Sequence, residues 1–135
     1  MLKAGCLVLG LMASVSQVAT VERVVSVYDA DTFRVDIHNW PDPIGLNMPI
    51  RVKSVDAPEI RGKCANEKAQ AKAARDYVRK LLGNADRIEL LDIERGKYFR
   101  LLARVRVDGK DLARLLVIEG HARPYDGGAR EGWCF

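Results

Sequence analysis

The chain has 135 residues, of which 48% are hydrophobic and 30% are charged, with 11 Gly and 5 Pro. This size and balance are typical of one globular domain, and they exclude a disordered, collagen-like or low-complexity chain. The longest apolar run, Cys6 to Ala13, is far shorter than the roughly 18 residues needed to span a bilayer, which excludes a polytopic membrane protein. The net charge of +4 suits a polyanionic partner without proving one.

Residues 1–19 have the layout of a secretory signal peptide. Lys3 gives a positive start, a short apolar segment follows, and small or polar residues come next. Cleavage is predicted near residues 16–19, which leaves a domain over residues 20–135 that ends in a Gly-rich tail. We therefore expect a secreted or periplasmic protein. A buried first strand and a wrongly chosen start codon are the alternatives.

The first half of this domain predicts strands and turns. Three strands are predicted, over Val21–Tyr28, Thr32–His38 and Ile50–Val55. In the second of them Phe33, Val35 and Ile37 alternate with polar residues, which is typical of a half-buried strand. Asp29–Asp31 has turn chemistry, and the Pro-rich segment Asn39–Pro49 is predicted to be a loop.

The second half begins with a change of period. Apolar residues at helical spacing predict a helix over Asn66–Leu82, ended by Gly83 and Asn84. Strands are predicted over Arg87–Ile93 and Phe99–Val107. Asp111 can cap a short helix that ends at Gly120. The resulting fold class is mainly β with α, and its first candidate is a closed five-stranded OB-fold barrel with an inserted long helix and a short C-terminal helix.

Several kinds of site are not supported by the sequence. The two histidines, His38 and His121, have no second histidine near them, and the cysteines form no CxxC pair. A zinc site and a cysteine–histidine dyad are therefore not expected. No Gly-rich nucleotide-binding loop occurs. Both histidines are expected to be solvated or packed.

The carboxylates form two small clusters. Asp29 and Asp31 lie in a predicted turn, and Asp56 and Glu59 follow a predicted strand end. Each cluster alone is ordinary turn chemistry, since Asp often bonds its own backbone. Two clusters at one barrel mouth would offer the several oxygen ligands that Ca²⁺ prefers.

Two arginines extend this set. Arg51 lies on the strand that leads to Asp56, and Arg100 begins the strand after Lys97 and Tyr98. A planar guanidinium can hold phosphate oxygens through two hydrogen bonds. A metal ion, a carboxylate base and arginines are together what phosphodiester hydrolysis needs.

Three segments of the chain resemble the signature segments of the thermonuclease family, the staphylococcal-nuclease-like domains. They are Asp29–Thr32, Arg51–Glu59 and Lys97–Ala103, in the family's order and at suitable spacing. Asp111–Ala122 is similar to the family's last helix. The resemblance extends from Val21 to Ala122.

The resemblance implies an OB-fold barrel that hydrolyses DNA and RNA with Ca²⁺ as cofactor. We expect an endonuclease, and cleavage from the strand ends is the alternative. It also implies a cation site, a base for the attacking water and cationic groups for the phosphates. The residues so assigned are Asp31, Asp56 and the Ala57 carbonyl for the cation, Glu59 for the base, Arg51 and Arg100 for the scissile phosphate, Lys97 and Tyr98 for a neighbouring phosphate, and Asp29 for support of the cation site.

The chain departs from the family at several positions. Ala30 and Phe99 stand where the family often has Gly, and Phe99 is bulky enough to displace Arg100. The loop Asn39–Pro49 is extended and could alter substrate access. The base-stacking tyrosines of the family have no clear counterpart, since Tyr125 could equally be a packing residue of the tail.

With the signal peptide removed, two cysteines remain, Cys64 and Cys134. An even count in an exported chain predicts one disulfide, which would hold the tail beside the active-site loop. Two unrelated thiols in a cytosolic protein are the alternative.

We expect a monomer without stable membrane association, acting on DNA and RNA. Two other functions remain open from the sequence. The first is a catalytically inactive nucleic-acid-binding OB module, against which the complete residue set argues. The second is a small domain that binds Ca²⁺ only for stability.

Overall fold

The computed structural model describes residues 17–134. Residues 1–16, which hold most of the predicted signal peptide, lie outside the described part. The secondary-structure elements in chain order are β1 (Ala19–Asp29), β2 (Thr32–Ile37), β3 (Met48–Val52), β4 (Val55–Asp56), α1 (Ala65–Gly83), β5 (Ile88–Arg95), β6 (Leu101–Val107), β7 (Lys110–Asp111), α2 (Leu112–Ile118) and β8 (Arg123–Pro124). No helix in the described part is long and apolar enough to cross a membrane.

Five strands form a closed barrel. β1 pairs antiparallel with β2 and with β5, β2 pairs with β3, and β5 pairs with β6. The parallel pairing of β3 with β6 closes the ring. Closure removes the free sheet edges that antiparallel strands otherwise expose. The predicted fold class, an OB-fold barrel with a long helix before the last two barrel strands and a short helix after them, is confirmed.

The core follows the predicted periodicities. Phe33, Val35 and Ile37 of β2 are all buried, because alternate residues of a strand point to the same face. α1 buries the apolar stripe that includes Ala74 and Val78, and it packs on β1. One hydrophobic cluster runs from these residues to Leu116 of α2. The barrel is therefore a rigid base for the loops at its mouth.

The predicted third strand, Ile50–Val55, is two strands. Ser54 has a φ of 73°, in the left-handed region, and this turn separates β3 from β4. β4 leaves the barrel sheet and pairs instead with β8, so that Val55 faces Pro124 and Asp56 faces Arg123. The turn thereby directs Asp56 away from the barrel wall.

The predicted start of the last barrel strand at Phe99 is also wrong. Tyr98 and Phe99 have φ values of 57° and 56°, and two consecutive left-handed residues form a turn rather than a strand. β6 therefore begins at Leu101. The turn is closed by a hydrogen bond from the Gly96 N–H to the Arg100 carbonyl, at 2.7 Å.

The C-terminal tail is attached to the domain at both of its ends. β8 pairs with β4 at its beginning. At its end Cys134 is bonded to Cys64, with their Cα atoms 6.0 Å apart. Cys64 also caps α1, since its Sγ accepts a hydrogen bond from the Glu67 N–H.

Removing the disulfide should lower stability substantially. Its cysteines are 70 residues apart, and the loop-closure entropy of such a cross-link corresponds to about 4 kcal/mol of unfolding free energy. We expect Cys134→Ser to lose this amount in urea unfolding under oxidising conditions. Cys64→Ser should lose the same amount, because Ser remains a helix cap.

The redox state of the two cysteines is checked by intact mass after alkylation of the protein without prior reduction. We expect that neither cysteine is alkylated. Two alkylated cysteines would contradict the disulfide, and a loss that differs strongly between the two serine variants would assign the effect to something other than the cross-link.

Candidate active site

Two buried aspartates meet around one arginine at the barrel mouth. Asp31 ends the turn between β1 and β2, Arg51 lies on β3, and Asp56 ends β4. The Arg51 guanidinium is 3.3 Å from Asp31 Oδ2 and 3.9 Å from Asp56 Oδ1, and its side chain is 12% exposed. The Ala57 N–H donates to Asp31 Oδ2 at 2.9 Å, which fixes the second carboxylate segment against the first.

Glu59 lies next to this pair and is less buried. Its side chain is 43% exposed, and its Oε1 accepts a hydrogen bond from Arg130 Nη2 at 2.8 Å. The same Arg130 donates twice to Asp56 Oδ1, at 3.0 Å from Nε and 2.7 Å from Nη2. Trp133 Nε1 donates to the other oxygen of Asp56 at 3.2 Å. Two residues of the tail thus bond both oxygens of Asp56.

The backbone around Glu59 is held by Glu67, a buried carboxylate near the start of α1. Glu67 accepts hydrogen bonds from the Glu59 N–H and the Lys63 N–H, both at 3.1 Å. Gly62 allows this approach, because a Cβ there would lie 2.5 Å from the Glu67 side chain. Glu67 therefore positions the loop that carries Glu59.

Burial disfavours the charged form of two carboxylates in the acidic cluster. Burial raises the pKa of Asp29 to about 6, although the hydrogen bond from the Ile60 N–H at 2.8 Å opposes this rise. Burial also raises the pKa of Asp31, against the opposing effects of Arg51 and the Ala57 N–H. An added cation would offset these penalties.

A cleft of about 750 Å³ opens beside the carboxylates. Its lining is strongly cationic and includes Arg51, Lys97, Arg100 and Arg130. Among the described residues Arg100 has no carboxylate partner, which leaves its guanidinium available to an anion. Phe99 does not remove Arg100 from the cleft, because the backbone of the turn directs the Phe99 side chain outward, where it is 63% exposed.

Aromatic side chains stand at the edge of this cleft. Tyr98 is 91% exposed next to Lys97. Tyr125 also lines the cleft, but its hydroxyl donates to the Gly128 carbonyl at 2.7 Å, and its backbone N–H donates to the Ser54 carbonyl. These two hydrogen bonds fix Tyr125 within the tail, at the lining of the cleft.

The donor chemistry fits an oxygen-seeking cation. Asp31, Asp56 and the Ala57 carbonyl offer only oxygen atoms, as Ca²⁺ prefers. Over residues 17–134, however, no three His, Cys, Asp or Glu side chains are grouped as they would be around a bound ion. The carboxylates of Asp31 and Asp56 form ion pairs with arginine side chains instead.

Comparison with known proteins gives the family. The family model of staphylococcal nuclease homologues matches residues 49–131, which is more than half of the chain. The chain is a member of the staphylococcal nuclease homologue family. No curated protein matches it significantly in sequence.

The matched range of this staphylococcal nuclease homologue includes all the predicted site residues from Arg51 to Arg100, and also Arg130. Asp31 precedes the matched range, and its contacts with Arg51 and Ala57 place it in the site. The three sequence segments of the resemblance meet at one end of the barrel, around the cleft.

Sequence reasoning missed three residues of this nuclease homologue that contact the site. The sequence pattern predicts Glu67 only as part of the helix, and it predicts Arg130 and Trp133 as part of a Gly-rich coil. The available signal was Cys134, because a disulfide to Cys64 necessarily brings the preceding residues close to the loop of Glu59.

Proposed function

We propose that this protein is an exported, Ca²⁺-dependent nuclease that cleaves internal phosphodiester bonds of DNA and RNA as a monomer. The observation that supports the proposal is that Asp31 and Asp56 meet around Arg51, with Glu59 joined to Asp56 through Arg130, beside a cleft that Arg100 also lines. Binding alone would not need a half-exposed carboxylate next to this buried aspartate pair.

Asp31, Asp56 and the Ala57 carbonyl would hold the cation. When bound, the cation would supply positive charge to a non-bridging oxygen of the phosphate and polarise the phosphorus for attack. Asp29 would support the site indirectly, because its Oδ1 fixes the Ile60 N–H of the loop that follows Ala57.

Glu59 takes the proton from the attacking water, whose oxygen forms the new bond to phosphorus. Arg51 and Arg100 bind the charge that accumulates on the equatorial oxygens as the phosphorus becomes pentacoordinate. The bond to the leaving oxygen then breaks, that oxygen takes a proton from solvent, and Glu59 returns its proton to solvent. Lys97 and Tyr98 would contact the next phosphate along the strand.

The assay for this function uses circular single-stranded DNA, linear duplex DNA and RNA, each with Ca²⁺ and with a Ca²⁺ chelator. We expect cleavage of the circular DNA and of the RNA with Ca²⁺ and not with chelator. Cleavage of the circle identifies an endonuclease, because a circle has no end for an exonuclease. Binding without cleavage would instead identify an inactive nucleic-acid-binding module. Ca²⁺-dependent melting without either would identify a domain that uses the ion only for stability.

Replacing both aspartates should abolish tight Ca²⁺ binding. The variant Asp31→Asn, Asp56→Asn keeps the size of both side chains and removes two of the proposed charged ligands. In calorimetric titration we expect strong loss of Ca²⁺ affinity, and loss of the Ca²⁺-induced rise in melting temperature. Asp76→Asn, on the exposed face of α1, is the matched control. Equal affinity in the wild type and the double variant would remove both residues from the site.

Phe99 should strengthen binding of unpaired bases. Its aromatic ring is exposed on the turn between Lys97 and Arg100, two residues that line the cationic cleft, in a left-handed backbone that costs an aromatic residue more than Gly. Stacking one base is worth about 1–3 kcal/mol, so Phe99→Ala should weaken binding of a single-stranded oligonucleotide roughly fivefold or more.

The binding test uses fluorescence anisotropy with a single-stranded and a duplex oligonucleotide, under conditions without cleavage. Ile118→Ala, an equally exposed apolar side chain on α2, is the control and should change neither affinity. Equal loss with Ile118→Ala would assign the effect to general surface hydrophobicity and contradict stacking.

Export is part of the proposal. β1 begins at Ala19, which is buried and pairs with Leu90. Cleavage after Ser16 would leave this strand whole, whereas cleavage after Ala19 would remove its first residue. An N-terminal sequence of the exported protein that begins at residue 17 is the expected result, and an intact Met1 would contradict export.

A further inference from the structure

The end of the chain forms a strap across the candidate active site. We use the term tail strap for residues 125–134. At one end the Tyr125 N–H bonds the Ser54 carbonyl directly after β8, and at the other end Cys134 is bonded to Cys64. Arg130 and Trp133 lie between these two attachments, so the segment that carries them cannot move far from the carboxylates.

Arg130 takes the position of a cation in this site. Its guanidinium bonds Asp56 Oδ1 through Nε and Nη2, and Nη2 also bonds Glu59 Oε1 at 2.8 Å. Trp133 Nε1 holds Asp56 Oδ2. The side chain of Asp56 is 2% exposed, so the bonds to its oxygens are shielded from water on the carboxylate side. Charge-assisted bonds of this kind are about twice as strong as neutral ones.

Any other cation that binds Asp56 must displace one of these donors. Arg130 is the donor that can leave, because its side chain is 46% exposed and borders the open cleft. Trp133 is buried, and the Arg123 guanidinium lies 3.7 Å above its ring centre. Displacement of Arg130 therefore costs fewer contacts than displacement of Trp133.

We propose that Arg130 is a built-in competitor of the divalent cation, and that the disulfide keeps it at the site. The inference rests on the proposed function, since it takes Asp56 as a cation ligand. Attachment at both ends gives the guanidinium a high effective concentration at Asp56, which lowers the apparent affinity for the ion. The nuclease site would open only where the ion is abundant enough to displace Arg130.

The test is calorimetric titration of the oxidised full domain with CaCl₂. Arg130→Gln removes the competing charge, while the matched control Arg114→Gln removes the same charge from an exposed position of α2. We expect Arg130→Gln to bind Ca²⁺ roughly tenfold more tightly than the wild type, because it no longer has to break charge-assisted bonds. Arg114→Gln should change the affinity less than twofold.

A second variant tests the competitor role of Arg130 without changing Arg130 itself. Cys134→Ser frees the end of the tail strap and should also tighten Ca²⁺ binding. A spectroscopic readout uses Trp133 in a Trp40→Phe background, where Ca²⁺ should change the Trp133 emission at the same concentrations as in calorimetry. Both measurements are independent of nuclease activity.

The outcomes separate the two proposals. Tighter binding by Arg130→Gln supports the competitor role even if no substrate is cleaved. Equal or weaker binding by Arg130→Gln, with the wild type binding normally, overturns the competitor role and leaves the Ca²⁺ site intact. Absence of Ca²⁺ binding in every variant overturns both the competitor role and the metal-dependent function.

Discussion

Replacing Glu59 by Gln should reduce turnover by about 10²–10⁴-fold, the usual contribution of a general base. The amide keeps the shape of the side chain, and its oxygen can still accept the hydrogen bond from Arg130. The hydrogen bond from the Glu59 backbone to Glu67 is also unchanged. The loss should therefore fall on the rate of the chemical step, with the melting temperature and the substrate affinity preserved.

The measurement is the single-turnover cleavage rate at saturating Ca²⁺ and substrate. Glu94→Gln is the matched control, because Glu94 lines the same cleft but pairs with Lys53 at 3.4 Å rather than with the aspartate pair. A cleavage rate for Glu59→Gln equal to that of the wild type would remove Glu59 from the role of base. An equal loss in both variants would show a general electrostatic effect of the cleft.

Local signals in the sequence predicted most of the barrel. Alternation identified the buried face of β2, and the change to helical spacing identified α1 within one residue at each end. Two of the errors occur where the chain takes left-handed conformations at non-glycine residues. Ser54, Tyr98 and Phe99 give no signal of such a turn, because left-handed φ values are typical of glycine rather than of these residues.

The position of the tail could not be predicted from local sequence patterns, for a different reason. β8 has two residues and no period, and its pairing with β4 joins positions about 70 residues apart in sequence. Long-range pairing of this kind depends on the completed barrel. Only Cys134 indicated where the tail lies, and it did so through a covalent bond rather than through a pattern.

The resemblance to the family, more than the composition of the chain, predicted the residues of the candidate site. The structure places Asp31, Asp56 and Glu59 near one another, and it adds Arg130, which contacts Asp56 and Glu59 from outside the three signature segments. Arg130 lies on the tail that the disulfide between Cys64 and Cys134 attaches beside the site.

Arg51→Ala and Arg100→Ala should both lower turnover by about 10²–10³-fold, since each removes a donor to the transition state. Their effects on stability should differ. Arg51 is nearly buried and lies between Asp31 and Asp56, so its removal takes away the charged partner of Asp31, whereas Asp56 keeps Arg130. Loss of one partner of a buried ion pair costs roughly 3–5 kcal/mol.

Thermal unfolding with and without Ca²⁺ distinguishes the two arginines. Arg51→Ala should lose roughly 10 °C or more of melting temperature in chelator, and Ca²⁺ should restore part of it, because the ion supplies charge to the same carboxylates. Arg100→Ala should melt like the wild type under both conditions, since Arg100 has no carboxylate partner in the described part of the chain. If Arg51→Ala were as stable as Arg100→Ala in chelator, the aspartates would not depend on Arg51. Its role would then be confined to the phosphate.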